Sequence, residues 1–340
     1  MALFMVWPLL TAGSLQAEMV SAGKPLEDYN ETRAYFGAYF TVHCRYDNKL
    51  TDIHAATEKC WRKLDEVQVN MNATSTQGFL GLVNRADPNR GVQVSNDLYR
   101  IIADAISYSE RTEGAFDITV YPLVQLWKRA AKQDKLPAQS EIDDTLQKVG
   151  SKFIRLDPDN TVILTQPGVS LDLNAIAPAF AVDRVAEILE ENQVVNYMVD
   201  GSGEIRCKGD QEGQRGWRVG VQDPTKQHDQ GVIDILILKD CAVSTSGNYE
   251  RFYTIQGKRF SHIIDPRSGY PANGVVSATV IAPTAEEANA FSTPLCVLGG
   301  KAGMKLLSAS KNVEAYVLED VDGRLVPSET PGYHRFRTSR

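Results

Sequence analysis

Apolar residues recur every three or four positions from Leu50 to Val69, so that Ile53, Ala56, Cys60, Leu64 and Val67 share one side of a helix. The same spacing from Asn96 to Arg111 sets Leu98, Ile101, Ile102, Ala105 and Ile106 on the inner face of a second. Tyr35 to Arg45 alternates instead, as a strand does. Ser140 to Val149 reads as a short helix with Ser140 as its N-cap. Phe153 to Leu156 and Thr161 to Leu164 read as a hairpin around Asp157-Pro-Asp-Asn160. Ile176 to Glu191 reads as a helix because Pro178 falls in its first turn, where the missing amide would be unpaired anyway.

Short strands then follow in series: Tyr197 to Val199, Glu204 to Lys208, Trp217 to Val221, Ile233 to Leu238, Arg251 to Ile255, Phe260 to Ile264 and Ser277 to Ala282. Two helices, Ala285 to Leu298 and Lys301 to Ser308, precede a last strand at Glu314 to Leu318. Helices early and strands late, joined by short turns, predict an α+β fold with largely antiparallel or mixed sheets flanked by helices. No internal repeat, heptad run or low-complexity tract interrupts it.

With 340 residues, 43% hydrophobic and 23% charged, the chain has material for one large core. The net charge of -7, with no Lys/Arg stripe, argues against a nucleic-acid surface. The five cysteines are scattered and form no C-x-x-C pair, which argues against a zinc knuckle or a thioredoxin-like site. Their odd number argues against a complete disulfide framework, and Cys296 reads as a small core residue.

The first ten residues carry an apolar run too short to span a bilayer, and small residues follow up to Ala17. We read residues 1–17 as a signal peptide and expect export, to a periplasmic or other extracytoplasmic location, although no Lys or Arg precedes Lys24. No cysteine precedes Cys44, so a lipid anchor is not expected, and no other segment is apolar enough to cross a membrane. Residues 18–34 read as a polar linker, 35–330 as one catalytic domain and 331–340 as a tail.

Chemistry concentrates in polar islands. Phe260-Ser-His-Ile-Ile-Asp-Pro-Arg-Ser-Gly-Tyr-Pro271 places His262 three residues before Asp265 and then breaks regular structure. A strand-end histidine beside an Asp that caps its own turn explains this as well as catalysis does. Thr112-Glu-Gly-Ala-Phe-Asp117 combines a glycine, an aromatic and a carboxylate; Gly114 as a helix stop and Phe116 as core is the plain structural alternative. Further islands are Leu171-Asp-Leu-Asn-Ala-Ile-Ala-Pro-Ala-Phe-Ala-Val-Asp183, Val199-Asp-Gly-Ser-Gly-Glu-Ile205, Ser244-Thr-Ser-Gly-Asn-Tyr249 and Glu287-Ala-Asn-Ala-Phe-Ser-Thr293. In the last, Asn289 and Thr293 are four apart and share a helix face, which suits either a pair of satisfied polar groups or oxygen ligands for a hard cation.

In order and separation these islands resemble the ApbE family, the FAD:protein FMN transferases, from about Tyr35 to Leu318. The resemblance implies an ApbE-like, T-fold-like architecture that binds FAD, with Mg2+, between sheet and helical layers. It implies FAD contacts at Phe36, Thr74, Ala115, Phe116, Asp117, Asp172, Ser246, Gly247 and His262. Metal ligands would be the carbonyl of Ala175 with the side chains of Asn289 and Thr293. His262 would take the proton of the attacking hydroxyl, and Asp265 would hold it or a metal-bound water. The implied reaction moves FMN from FAD to a threonine hydroxyl of a separate flavoprotein and releases AMP.

Several positions depart from the family pattern. Asn289 stands where an aspartate is usual, Pro178-Ala179 where Lys-Gly is usual, and Met71-Asn-Ala-Thr74 where a serine and a stacking aromatic are usual. Phe36-Gly37-Ala38 replaces Met-Gly-Thr. These losses of charge at the cation and phosphate positions leave two other expectations beside the transferase: an FAD-binding protein with little transfer, and a metal-dependent FAD pyrophosphatase.

Overall fold

The structure, a computed structural model, describes residues 26–226, 231–248 and 251–338; the expected signal peptide lies outside them. The chain opens with strands β1 (Glu27–Tyr35) and β2 (Ala38–Tyr46), then helices α1 (Ile53–Asn70) and α2 (Phe79–Arg85). There follow β3 (Val92–Gln93), α3 (Asn96–Arg111), α4 (Tyr121–Gln133), α5 (Gln139–Leu146), β4 (Ile154–Asp157), β5 (Thr161–Leu164) and α6 (Ala177–Glu191). The second half runs β6 (Asn196–Gly201), β7 (Ile205–Lys208), β8 (Trp217–Gln222), β9 (Val232–Leu238), β10 (Cys241–Gly247), β11 (Phe252–Ile255) and β12 (Lys258–Ser261). It closes with β13 (Val275–Ala282), α7 (Ala285–Leu307), β14 (Glu314–Val321) and β15 (Arg324–Glu329).

One eight-stranded sheet, ordered β1-β2-β6-β7-β10-β13-β14-β15, organises the molecule, and every pairing in it is antiparallel. The expected α+β class with largely antiparallel sheet is the one observed. Because side chains alternate across a strand, β10 sends Ala242, Ser244 and Ser246 to one face and Cys241 and Val243 to the other. The first face carries α1, α6 and α7, and Ala242 joins the main core there. On the second face the β8–β9 hairpin buries Trp217, Val219, Leu236 and Leu238 against Cys207, Val243 and Ile281. A smaller cluster joins α4 and α5 to the β11–β12 hairpin through Trp127, Leu123, Ile142 and Ile255.

Three strongly polar connections hold the helical layer in place. Asp183, 3% exposed, accepts the amides of Ala285 (3.0 Å) and Glu286 (2.8 Å) and pairs with Arg206 at 2.9 Å. One carboxylate thus caps α7 from α6 while binding a residue of β7, which suits the positive end of a helix dipole. Asp117 takes hydrogen bonds from the Thr119 amide and hydroxyl, the Ser151 amide and the Ser109 hydroxyl, tying α3 to the turns on either side of α4 and α5. Gly269, at φ 77°, accepts the indole N–H of Trp127 (2.9 Å), and an added Cβ would lie 2.6 Å from Ile142, so only glycine lets this turn dock on α4 and α5.

The sequence expectations hold for the long periodic helices, and α3 spans the expected residues. They need correction where local pattern was weak. The region expected as linker is a strand from Glu27 onward: β1 is an exposed polar edge strand with no apolar alternation to reveal it, and pairing with β2 alone defines it. The tail expected from residue 331 is docked, with Tyr333 fully buried and stacked on Tyr316. Helix α5 begins at Gln139 rather than at a Ser140 cap, because the Glu141 carboxylate reaches back to the Ala138 amide. The strand expected through Ile264 ends at Ser261, whereas the expected pair of C-terminal helices is present as two helical stretches of α7 broken at Gly299, whose φ of 77° is not helical. Strands β3, β10 and β15 and helices α2 and α4 have no counterpart in the sequence expectations.

Asp183→Ala should destabilise the protein by about 3–5 kcal/mol, since it leaves Arg206 without its buried partner and strips the α7 cap. A change below about 1 kcal/mol in urea unfolding would show that the joint is held elsewhere. Glu286, 4% exposed with Oε1 unpartnered among the described residues, has its carboxyl pushed up to about 8 by burial and by the nearby Asp104 and Asp183. The folded state therefore binds an extra proton between the ordinary carboxyl range and about 8, and the stability that this proton confers is lost as pH rises through that value. Glu286→Gln should flatten the fall in urea midpoint between pH 6 and 9; equal slopes in both proteins would refute it.

Candidate active site

Three of the sequence-predicted residues, Ser246, Asn289 and Thr293, lie together on the helix-covered face at the middle of the sheet. Asn289 and Thr293 lie on α7, and Ser244 and Ser246 face them from β10. The Ser246 hydroxyl lies 2.8 Å from that of Ser292 and 3.3 Å from that of Thr293. Asn289 donates from Nδ2 to Glu204 Oε1 at 3.2 Å and to Ser244 Oγ at 3.3 Å. In both contacts the Asn289 amide nitrogen is the donor. Asn289 Oδ1 is then left buried with no partner among the described residues. A buried carbonyl oxygen without a donor is costly unless something else meets it.

Glu204 was not among the residues singled out, and neither was Ser292. Glu204 closes the turn in which Ser202 and Gly203 take positive φ (69° and 104°), with Asp200 Oδ1 accepting the Gly203 amide at 2.9 Å. The Asp-Gly-Ser-Gly-Glu run signalled that turn; what it did not reveal is that the turn delivers a carboxylate onto α7. The hydroxyls, the orphaned Asn289 oxygen and this carboxylate form an all-oxygen set, the kind a hard cation prefers. Their sole formal charge is Glu204's.

His262 is half-buried just past β12, and its Nδ1 lies 2.9 Å from the carbonyl oxygen of Arg251. A carbonyl only accepts, so Nδ1 carries the hydrogen and neutral Nε2 presents its lone pair. Burial, reinforced by the Arg251 charge, holds the imidazole below its ordinary value, while the carbonyl bond acts the other way. Asp265 does not bond His262, the first of the two roles expected of it. It binds the Arg267 guanidinium at 2.9 and 3.0 Å and caps the turn through the Arg267 amide. The plain turn-capping alternative is the one found.

Asp172, 8% exposed, accepts the Asn174 amide at 2.8 Å, and burial raises its carboxyl against the pull of that amide and of Lys128. Its charge in turn adds to the burial that raises the phenols of Tyr121 and Tyr253. Ser246 thus meets Thr293, and the Arg251 carbonyl meets His262. Gly247 ends β10. Ala175 is exposed in the turn leading into α6.

The remaining residues stand differently. Ala115 and Phe116 are buried, Phe116 against Tyr108 in the main core, and Asp117 spends its oxygens on the internal bonds described above. Phe36 occupies the β1–β2 turn at φ 53°, bonded to Gln68 and packed on Phe40. Thr74 is exposed and bonds Asn72. A shallow cavity of about 370 Å³ between β2 and α1, lined by residues 46 and 48–54, shares no residue with this set.

The model of the ApbE family matches residues 36–317. The chain belongs to the ApbE family. It is 32% identical over 316 residues to a FAD:protein FMN transferase of Haemophilus influenzae, covering 88% of this chain and 89% of that one. It is 30% identical over 303 residues to one from Vibrio cholerae, covering 88% and 90%. Among solved structures, the flavin transferase ApbE from Vibrio cholerae superposes with a TM-score of 0.82 at 29% identity, covering 92% of this chain and all of that one. The ApbE protein of Thermotoga maritima gives 0.79 at 30% identity, covering 92% and 100%.

Asn289→Asp would set two carboxylates at the 3.2 Å contact now made by an amide and Glu204. The variant should lose about 1–3 kcal/mol without divalent cation and regain it on adding Mg2+. Melting with EDTA and then with MgCl2 checks this; a variant indifferent to both would refute the expected repulsion between the two carboxylates.

Proposed function

We propose that this protein is a FAD:protein FMN transferase that moves FMN from FAD to a threonine hydroxyl of a target flavoprotein and releases AMP. The observation that carries the reading is the joint formed by Ser244, Ser246 and Glu204 with Asn289, Ser292 and Thr293. The names of the relatives that match nearly the whole chain support it.

Phosphoryl transfer asks the protein for position and charge neutralisation more than for covalent chemistry. Mg2+ held by Asn289, Thr293 and the Ala175 carbonyl would neutralise charge on the FAD pyrophosphate. The serine hydroxyls of β10 and α7 would donate to phosphate oxygens. Asp172, with its carboxyl raised by burial, would bond the nucleotide. His262 Nε2 would accept the threonine proton as the hydroxyl attacks the FMN phosphorus and AMP departs. The apolar run and small residues before Ala17 support export of the enzyme; N-terminal sequencing of the mature protein, beginning at Met1, would refute that. Among the described residues no helix is long and apolar enough to cross a membrane.

Neutral Asn289 at a cation position favours slow transfer, so the assay follows three products. Protein, FAD, Mg2+ and a flavoprotein acceptor are combined, the acceptor is weighed and AMP is measured. Acceptor gaining FMN mass establishes transfer. AMP and free FMN with unmodified acceptor would make it a pyrophosphatase, and retained FAD with neither product a binding protein. His262→Gln should lower transfer by about 10²–10⁴-fold while FAD remains bound. The wild-type rate should fall only as pH drops below the ordinary histidine range, because burial holds His262 neutral above it. An unchanged rate in the variant would remove His262 from the chemistry.

A further inference from the structure

Five cysteines are present and all are free, but two of them stand opposite each other. In the antiparallel ladder between β7 and β10, Cys241 is the register partner of Cys207. Directly opposed residues of such a ladder project from the same face, with Cβ atoms about 4.5–5.5 Å apart. Both sulfurs belong to the cluster under the β8–β9 hairpin, and the charge of one raises the pKa of the other. A disulfide needs Cα atoms about 4.4–6.8 Å apart and Cβ atoms about 3.5–4.5 Å apart, so a slight closing of the pair meets the requirement.

The place of this pair in the fold gives it consequence. The β7–β10 ladder has three paired positions, the shortest in the eight-stranded sheet, where β10–β13 has six. It is the seam between the β1-β2-β6-β7 half and the β10-β13-β14-β15 half. One end of the seam is the cysteine pair. At the other, three residues along each strand, Glu204 and Ser244 share the amide of Asn289.

We propose that Cys207 and Cys241 form a reversible cross-strand disulfide that clips the two halves of the sheet together behind the candidate active site. Cys241, partly exposed, is the entry point, and Cys207, 1% exposed, is the resolving partner. The Cys241 thiolate attacks a low-molecular-weight disulfide RSSR, breaking its S–S bond; one RS⁻ leaves and takes up the proton lost by Cys241. The Cys207 sulfur then attacks Cys241 in the mixed disulfide and expels the second RS⁻, which takes up the Cys207 proton. Two cysteine thiols are oxidised by two electrons, and RSSR is reduced to two RSH. Burial pushes the Cys241 thiol up to about 11, so closure accelerates with pH across the neutral and mildly alkaline range. Cys44 and Cys60 also neighbour each other, but both are fully buried, with no exposed sulfur through which an oxidant can enter.

The test uses the full chain, folded, with oxidised glutathione as the probe. After alkylation and digestion without reductant, the expected product is one peptide pair joined at 207 and 241, about 2 Da lighter than its two thiol forms and separated by dithiothreitol. Oxidation should raise the melting temperature by at least about 4 °C and slow amide exchange at positions 242–244 by about tenfold or more. Cys241→Ser should abolish the link and both effects, while Cys44→Ser should keep them. Glutathione trapped on Cys241 without a link, a link to any other cysteine, or untouched thiols would each overturn the pairing, and unmutated protein suffices for that reading. A link that leaves melting and exchange unchanged would overturn the clip.

Discussion

The buried Asp183 carboxylate is the constraint on which the rest of the arrangement depends. It lies on α6, caps α7 through two backbone amides and binds Arg206 of β7, so three elements meet at one side chain. Because α7 carries Asn289, Ser292 and Thr293, its rotation and height above the sheet decide whether those oxygens meet β10. A hydrophobic contact could hold α7 against the sheet, but it is non-directional. Two charge-assisted hydrogen bonds to the first turn are directional and fix register as well as proximity.

Alternation along β10 and β7 does the complementary work. Ser244, Ser246, Glu204 and Arg206 turn toward the helices; Cys241, Val243, Ile205 and Cys207 turn toward the hairpin. Polar chemistry and apolar packing are thereby separated by the thickness of one strand. The reverse side of the joint is an apolar cluster built on Trp217 and Leu236.

Much of the helical skeleton was legible because periodicity over fifteen or more residues is a strong signal, as α1, α3 and α6 illustrate. Edge strand β1 was not, since an exposed polar strand has no inward face to mark. Of the candidate site, Asn289, Thr293, Ser246 and His262 were singled out by the resemblance of their islands to the ApbE family, whereas residue type and spacing alone left plain structural readings open. Their partners were not. Nothing in the order of residues tells that Glu204 rather than another carboxylate meets Asn289, or that Asp265 turns to Arg267 and away from His262. Asp117 shows the converse: a carboxylate in a glycine-aromatic motif whose oxygens are taken up inside the fold.

The sequence by itself determined the fold class, the family and the types of group available, because helix period, turn chemistry and motif order are local or linear properties. Tertiary structure decided which of those groups touch. Hydrogen-bond partners and cross-strand neighbours are set by distances of about 3–5 Å between residues far apart in the chain. That is why the orphaned oxygen of Asn289, the tautomer of His262 and the opposition of Cys207 to Cys241 emerge only once the sheet is closed.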